Sequence, residues 1–284
     1  MPAESTMESK ESKDVAMTFW EHLEELRRRI IIAAITIGIF TVVCLSFSKP
    51  IEKVVMFPLQ TSMNTLIANA IETTLGSDGS IFGFLAVTLR AGASSINAEL
   101  MKVGPLEGIM AFLKLGVTAG ILLALPIIIY QVWAFIFPAL NREERRFAVP
   151  LFLIIVAFFT IGAVFAYFIV VPVVLQFSAQ LFPEMPNRWD LENYINLVTK
   201  LILGFGIAFE LPIVMAFLSR IGVINARGFR EKQNYALLGI CVISALLTPA
   251  DPWSMLLMAI PLFILYQLGI FFAYLVEKEQ EVYG

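Results

Sequence analysis

The sequence predicts an all-α fold, a six-span transmembrane helical bundle. Of the 284 residues 58% are hydrophobic and only 15% are charged, and the mean hydropathy is +0.81. Soluble domains carry about 25% charged residues. About 20 apolar residues cross a bilayer as a helix. The chain contains six apolar segments whose lengths can be compared with this value, at residues 30–47, 109–137, 147–175, 194–218, 235–247 and 253–276.

The segments organise the chain into one membrane domain, residues 18–276, between two polar tails. Residues 1–17 are polar and mixed in charge, which predicts a disordered cytoplasmic tail, and residues 277–284 form a second cytoplasmic tail. Thr18 and Glu21 fit a capping box at the start of the first helix. Basic residues cluster before the first segment and in alternate loops, so the positive-inside rule places both termini in the cytoplasm.

Prolines and one short segment predict an irregular bundle. Residues 235–247 would rise only about 20 Å as a helix, less than the ~30 Å hydrocarbon core. Thr248, Pro249 and Pro252 must then stop and turn the chain, so we expect a short final hairpin. Prolines inside the segments kink helices and favour a concave bundle; they are Pro126, Pro150, Pro172, Pro212 and Pro261.

The external loop at residues 48–108 is longer than the cytoplasmic turns. It contains an apolar run of nine residues, 81–89, which is too short to span a bilayer as a helix. We expect an external amphipathic cap lying on the outer face. A re-entrant segment is the alternative.

Glu210 interrupts an otherwise uncharged apolar stretch, residues 201–218. A charged group near the bilayer centre costs about 3 kcal/mol on insertion scales, so such residues usually face a protein interior or a wet cavity and mark function. The alternative is a structural Glu that only bonds a neighbouring helix.

The residue inventory argues against an enzyme. The single histidine, His22, precedes the first segment, so neither an HExxH zinc site nor a Ser/His dyad can form inside the membrane. Cys44 and Cys241 lie in apolar segments without a CxxC pattern, which is typical of buried thiols. We expect no metal and no cofactor, and no basic domain indicates nucleic-acid binding. A transporter, a channel or a receptor remains.

Two carboxylates on the predicted cytoplasmic face, Glu25 and Glu144, suit recognition of guanidinium groups, because arginine binds a carboxylate through a bidentate fork. Both have ordinary structural roles available. Glu25 can pair with Arg29 at i,i+4, and Glu144 can cap the third helix together with Asn141.

Seven short motifs lie in order between about residues 17 and 275. They are FWEHLEELRRRI (19–30), MFPL (56–59), YQVWAFIFPAL (130–140), ERR (144–146), GAVFAYF (162–168), GIAFELP (206–212) and LLTPAD (246–251). On a six-span topology this set strongly resembles the TatC family, the receptor of the twin-arginine protein translocase. Residues 72–95 look inserted relative to the family pattern.

The resemblance implies a receptor of the bacterial cytoplasmic (inner) membrane that binds twin-arginine signal peptides of folded cargo. It also implies a pore nucleated with single-span TatA-like and TatB-like partners, self-association, and export driven by the proton-motive force. It assigns signal-peptide binding to Glu25, Glu144, Arg27, Phe135 and Pro58, and partner docking to Glu210, Ala245, Leu246, Thr248 and Asp251. The alternative from another class is a six-span proton-coupled secondary transporter that uses Glu210.

Overall fold

The structure is a computed structural model that describes residues 19–59, 99–101, 104, 106–136, 148–181, 188–248 and 252–283. Five helical stretches in these ranges are long and apolar enough to cross a membrane. A sixth apolar helix, Gln233–Leu247, has only 15 residues. The all-α membrane bundle is therefore confirmed, with five membrane-length helices and one shorter apolar helix among the described residues; the count of six spans stays a prediction.

The first span is α1 (Phe19–Ser46), which is followed by a short helix, α2 (Ser48–Met56), and a 3-10 turn (Phe57–Leu59). The end of the bundle at which α1 begins is called the near end, and the opposite end the far end. The second span, α3 (Glu107–Ile136), returns from far to near and packs along α1. Gly120 permits a close approach, because a Cβ there would lie 2.7 Å from the backbone nitrogen of Thr41.

The third span changes its helical geometry part of the way across. It consists of α4 (Ala148–Phe165), a π-helical turn (Ala166–Val170) and α5 (Val171–Leu181). The N–H of Val171 bonds the carbonyl of Ala166, five residues back. Pro172 follows and has no N–H to donate, so the regular helical ladder is interrupted at this point anyway.

The fourth span is broken in its second half. It consists of α6 (Leu191–Ala208) and α7 (Leu211–Arg220), separated by a turn at Phe209 and Glu210. Asp190 caps the start of α6 by accepting from the N–H of Glu192. The break is explained by Pro212, which lacks the N–H that would continue the ladder and is tolerated in the first turn of α7.

The turn after α7 is a Schellman motif. Gly222 has φ of +74°, the N–H of Gly222 bonds the Ser219 carbonyl, and the N–H of Val223 bonds the Leu218 carbonyl. The short α8 (Ala226–Glu231) follows. Oε1 of Glu277, from the last helix, accepts from the N–H of Ala226 at 2.6 Å and from Ser219 Oγ at 2.5 Å. This carboxylate therefore fixes the near-end turn.

The last two helices form the predicted short hairpin. They are α9 (Gln233–Leu247) and α10 (Pro252–Tyr283), and α9 rises only about 22 Å. Thr248 ends α9 in an extended conformation. The sequence prediction for this hairpin is confirmed by the length of α9.

The structure also contains a small two-stranded sheet, which the sequence did not predict. β1 (Glu99–Met101) pairs in parallel with β2 (Arg188–Asp190), so that Leu100 lies opposite Trp189. The pair joins the end of the long loop to the start of the fourth span. The predicted external cap at residues 81–89 lies outside the described residues.

The core centres on the fourth span, which packs against α3, α4, α9 and α10. Leu201 and Phe205 of α6 are fully buried. A cavity of about 500 Å³ opens between α2, α3, α4 and α6, lined mainly by apolar side chains. The π-helical turn of the third span lines this cavity. Its interrupted helical geometry agrees with the expected irregular bundle.

The contact between the third and fourth spans gives a stability prediction. A Cβ at Gly162 would lie 2.7 Å from the carbonyl oxygen of Phe205, which is backbone and cannot swing away. We expect Gly162→Ala to lower the free energy of unfolding by about 1–3 kcal/mol, as overpacking does. Gly38→Ala is the matched control, since a Cβ there meets nothing within 4 Å.

Unfolding of both variants by denaturant in bicelles, followed by tryptophan fluorescence, measures the difference. Gly38→Ala should be neutral or stabilising by up to about 1 kcal/mol. Equal stability of the two variants would show that the helices separate freely at Gly162.

Candidate functional site

Three polar side chains meet at the near end. Arg29 Nη2 donates to Glu25 Oε1 at 3.0 Å, within α1, and Arg29 Nη1 donates to Gln131 Oε1 at 3.1 Å, across to α3. Gln131 is only 8% exposed, whereas the side chains of Glu25 and Arg29 are 19% and 28% exposed. The i,i+4 pair expected from the sequence is therefore present, and it is tied to the second span.

The second carboxylate oxygen of Glu25, Oε2, can still accept a hydrogen bond. Oε2 is enclosed and has no hydrogen-bond partner among the described residues. A carboxylate has about four acceptor positions, and the described residues fill one of them. An incoming guanidinium or ammonium group is the kind of donor that fits the remaining oxygen.

The other near-end residues predicted from the sequence lie around this cluster in different environments. Arg27 is exposed on α1, and Phe135 is half-buried near the end of α3. Trp133 is buried and meets Phe217 of α7 edge-on, with ring centroids 6.3 Å apart. Aromatic packing thus holds the end of α3 against the fourth span.

Two of the predicted residues, Glu144 and Asp251, lie outside the described residues. Pro58 is described, but at the far end, where it is fully buried in the 3-10 turn. From Glu25 to Ser46, α1 rises about 30 Å. The structure therefore does not bring Pro58 together with Glu25.

Glu210 lies at the break of the fourth span. Both of its carboxylate oxygens are enclosed, and neither has a hydrogen-bond partner among the described residues. The backbone of Phe159 in the third span lies beside the carboxylate. An unsatisfied polar group in low dielectric is costly, so this carboxyl group suits a ligand or partner that supplies a donor.

The end of α9 presents a mixed surface. Ala245 and Leu246 are exposed, whereas Thr248 is buried and donates its hydroxyl to the carbonyl of Ser244 at 2.8 Å. Ser244 Oγ is buried without a hydrogen-bond partner among the described residues. Leu247, at this end of α9, lies against Gly204 in the middle of the fourth span. Glu210 follows Gly204 by six positions, about 9 Å along a helix, so the predicted docking residues of α9 and Glu210 lie along the same part of the fourth span.

Sequence reasoning missed polar contacts between spans two and four. Lys114 Nζ pairs with Glu192 Oε1, and the hydroxyls of Thr118 and Thr199 are 2.8 Å apart. Lys114 interrupts an apolar segment as Glu210 does, so the argument applied to Glu210 could have found it. Its partner could not have been named, because Glu192 is 78 residues away.

At the far end a second carboxylate joins these contacts. Glu107 is buried and accepts from the N–H groups of Gly104 and Glu192, at 3.0 and 3.4 Å. A hydrogen bond with Glu107 raises the pKa of Asp190 above its ordinary value. The starts of the second and fourth spans are thereby tied together.

The exposed face of α6 also carries polar residues in its first half. Asn193 and Lys200 are exposed, and Asn196, on the same face, is half-buried. A lysine about 14 Å along a span is uncommon on a surface that faces only lipid. This face is therefore unlike the apolar face of α1.

No group of three or more His, Cys, Asp or Glu residues within the described ranges could hold a metal ion. Cys44 is buried and Cys241 is half-buried, and both are free thiols.

Comparisons with known proteins identify what this chain is similar to. Residues 21–261 match the model of the family described as TatC, Sec-independent protein translocase protein. Curated proteins named Sec-independent protein translocase protein TatC match as well. That of Desulforapulum autotrophicum is 30% identical over 267 residues, covering 93% of this chain and 86% of its own, and that of Aquifex aeolicus is 32% identical, covering 93% and 98%.

Solved structures match at the level of the fold. A crystal structure described as Twin Arginine Translocase Receptor TatC has 33% sequence identity and a TM-score of 0.70, covering 90% of this chain and all of that one. A second structure of that receptor, in DDM, gives a TM-score of 0.71 with 33% identity, covering 89% and 99%.

The contact between Lys114 and Glu192 gives a prediction about the second and fourth spans. Glu192→Lys places two positive charges together and should lower the unfolding free energy by about 1 kcal/mol, a modest value because both side chains are about a third exposed. The double reversal Lys114→Glu with Glu192→Lys should recover most of that loss.

The measurement is the thermal unfolding midpoint in nanodiscs, with Lys53→Glu on the exposed face of α2 as the control charge change. If the double reversal is no more stable than Glu192→Lys alone, the ion pair does not stabilise the contact between these spans.

Proposed function

This chain belongs to the TatC family of Sec-independent protein translocase proteins, and from that premise we propose that it is a receptor for twin-arginine signal peptides of folded cargo proteins. In this proposal it also nucleates assembly with single-span partners of the TatA and TatB type and associates with itself. Export is driven by the proton-motive force across a bacterial inner membrane, with both termini of the chain in the cytoplasm.

The half-paired carboxylate of Glu25 carries the proposal. Oε1 is held by Arg29, while Oε2 has no partner among the described residues. Arginine is the side chain whose planar fork best matches a carboxylate. A peptide with two adjacent arginines would engage Glu25 with one guanidinium and Glu144 with the other.

The distribution of charge supports a cytoplasmic near end. Arg27, Arg28 and Arg29 lie in the near-end part of α1, and the turn between spans four and five adds four further basic residues, Arg220, Arg227, Arg230 and Lys232. Basic residues are retained on the cytoplasmic side during insertion. A receptor that captures cargo before export must present its peptide site on that side.

Two features support partner docking within the membrane. The short α9 exposes Ala245 and Leu246, and the carboxyl group of Glu210 is enclosed without a donor among the described residues. A single-span partner could supply a polar side chain to Glu210 and an apolar face to the end of α9, with Thr248 and Asp251 shaping the turn beside it. Arg27 and Phe135 would border the peptide site, and Pro58 would act from the far end by holding α2 in place.

The first prediction for this function concerns the two carboxylates. Glu25→Gln with Glu144→Gln should weaken binding of a peptide that contains two adjacent arginines by about 100-fold or more, because each charge-assisted contact contributes about 1.5–3 kcal/mol. The measurement is fluorescence anisotropy of the labelled peptide with the receptor in nanodiscs. Glu24→Gln is the matched control, since Glu24 is exposed on the same helix.

The thermal unfolding midpoint of the double variant should stay at the wild-type value, since Glu25 is only partly buried. A folded double variant that binds the peptide with wild-type affinity would remove Glu25 and Glu144 from the site.

The enclosed carboxyl group of Glu210 also favours one alternative function, a proton-coupled secondary transporter. A docking residue needs only a hydrogen-bonding group, so Glu210→Gln should keep much of the export of a folded twin-arginine cargo, while Glu210→Ala should lose it. A proton carrier must ionise, so for a transporter Gln should be as inactive as Ala.

Export by the two variants at matched expression separates these functions, together with crosslinking to single-span partners. In the receptor, Glu210→Ala should lose partner crosslinks while still binding the peptide at the near end. If Gln and Ala are equally inactive and partner crosslinks persist in both, the docking role of Glu210 is refuted.

A further inference from the structure

The guanidinium of Arg29 is shared between two helices. Nη2 donates to Oε1 of Glu25 and Nη1 donates to Oε1 of Gln131, while Nε is enclosed with no hydrogen-bond partner among the described residues. Arg29 is thus connected to the first span by one bond and to the second span by another.

This arrangement differs from the usual way in which arginine meets a carboxylate. An arginine beside a carboxylate frequently makes two parallel bonds and occupies both oxygens. Here Gln131, which is buried in α3, holds one amino group of Arg29 at 3.1 Å. Only the other amino group reaches Glu25, and Oε2 is left without a described partner.

An enclosed and unsatisfied carboxylate oxygen is costly, because low dielectric strengthens the penalty for a missing donor. The cost is recovered when a ligand supplies that donor. The contacts of Arg29 therefore both orient Glu25 and preserve one acceptor for a ligand.

We infer that Arg29 and Gln131 are positioning residues for peptide binding, an inference that rests on the proposed function of Glu25. Gln131 restrains Arg29 to one oxygen of Glu25, and the second oxygen is kept for an arginine of the signal peptide. Without Gln131, Arg29 rotates onto both oxygens and competes with the peptide.

The competing explanation is that Arg29 serves only as a basic anchor at the membrane surface. An anchor needs positive charge alone, which lysine supplies equally well. A positioning residue needs the planar fork, because the compact ammonium of lysine cannot reproduce its two-sided geometry. Arg29→Lys distinguishes the two roles without changing the charge.

The experiment measures binding of two labelled peptides to the full-length receptor in nanodiscs. One peptide has two adjacent arginines before an apolar stretch, and in the other both arginines are lysines. The variants are Arg29→Lys, Gln131→Leu, which removes the acceptor, and Gln131→Glu, which keeps an acceptor oxygen near the same place. Arg28→Lys is the matched control, because Arg28 is exposed on the same helix.

We expect Arg29→Lys and Gln131→Leu to bind the twin-arginine peptide about tenfold more weakly, roughly the loss of one charge-assisted hydrogen bond. Their preference for the twin-arginine peptide over the twin-lysine peptide should shrink. Gln131→Glu should stay within about threefold of wild type, and Arg28→Lys should be unchanged. A loss of stability alone would leave the preference between the two peptides intact in the folded fraction.

Glu25→Gln, measured in parallel, separates the two ways in which the inference can fail. If Glu25→Gln loses binding while Arg29→Lys and Gln131→Leu bind as wild type does, the positioning role is overturned and the receptor function stands. If Glu25→Gln binds as wild type does, the proposed site itself is wrong. Gln131→Met, which also lacks an acceptor, replaces Gln131→Leu if that variant fails to fold, and wild-type binding by it counts equally against the inference.

Discussion

The packing of the fourth span against its neighbours is the constraint on which the rest of the bundle depends. Its first helix, Leu191–Ala208, packs against α3, α4, the π-helical turn and α9, and Phe205 is fully enclosed. Gly162 and Gly206 let the third and fourth spans approach so closely that a Cβ at either position would overlap its neighbour. In a bilayer, helices associate through such close packing and interhelical hydrogen bonds, because lipid is as apolar as the side chains. The break at Glu210 is tolerated because this surrounding contact holds both halves of the span.

Charged groups fix the two ends of the bundle in different ways. At the near end, the carboxylate of Glu277 holds the turn after the fourth span by accepting from Ser219 and Ala226. At the far end, Glu107 and Glu192 join the second span to the fourth. Two tyrosine hydroxyls add to the far end, since Tyr167 and Tyr194 donate to backbone carbonyls of α2 at 2.5 and 2.6 Å. Both ends are therefore held by specific bonds, while the middle is held mainly by shape.

The sequence predicted what depends on local pattern. Segment positions, the short final hairpin and the pairing of Glu25 with Arg29 all follow from hydropathy or from the i,i+4 spacing of a helix. Contacts between distant residues could not be predicted in this way. The bond from Arg29 to Gln131 spans 102 positions, and β1 pairs with β2 across 89. Helical periodicity says which face of a helix a residue occupies, but it does not say which other helix lies opposite.

The peripheral position of α1 bears on how binding of a peptide at the proposed site would be transmitted. Only 6% of the spanning part of α1 is buried within the protein, against 39% for the fourth span. α1 lies mainly against α3, where Gly116 and Gly120 admit Leu45 and Thr41, and Arg29 reaches Gln131 at its near end. Glu25 therefore lies on a helix whose described contacts are mainly with one neighbour, α3. A ligand that binds the Glu25 carboxylate would act first on the contact between α1 and α3. Since α3 also bears Lys114 and Thr118, which contact the fourth span, a displacement of α3 by a ligand at the proposed peptide site would be passed to the fourth span through direct contacts.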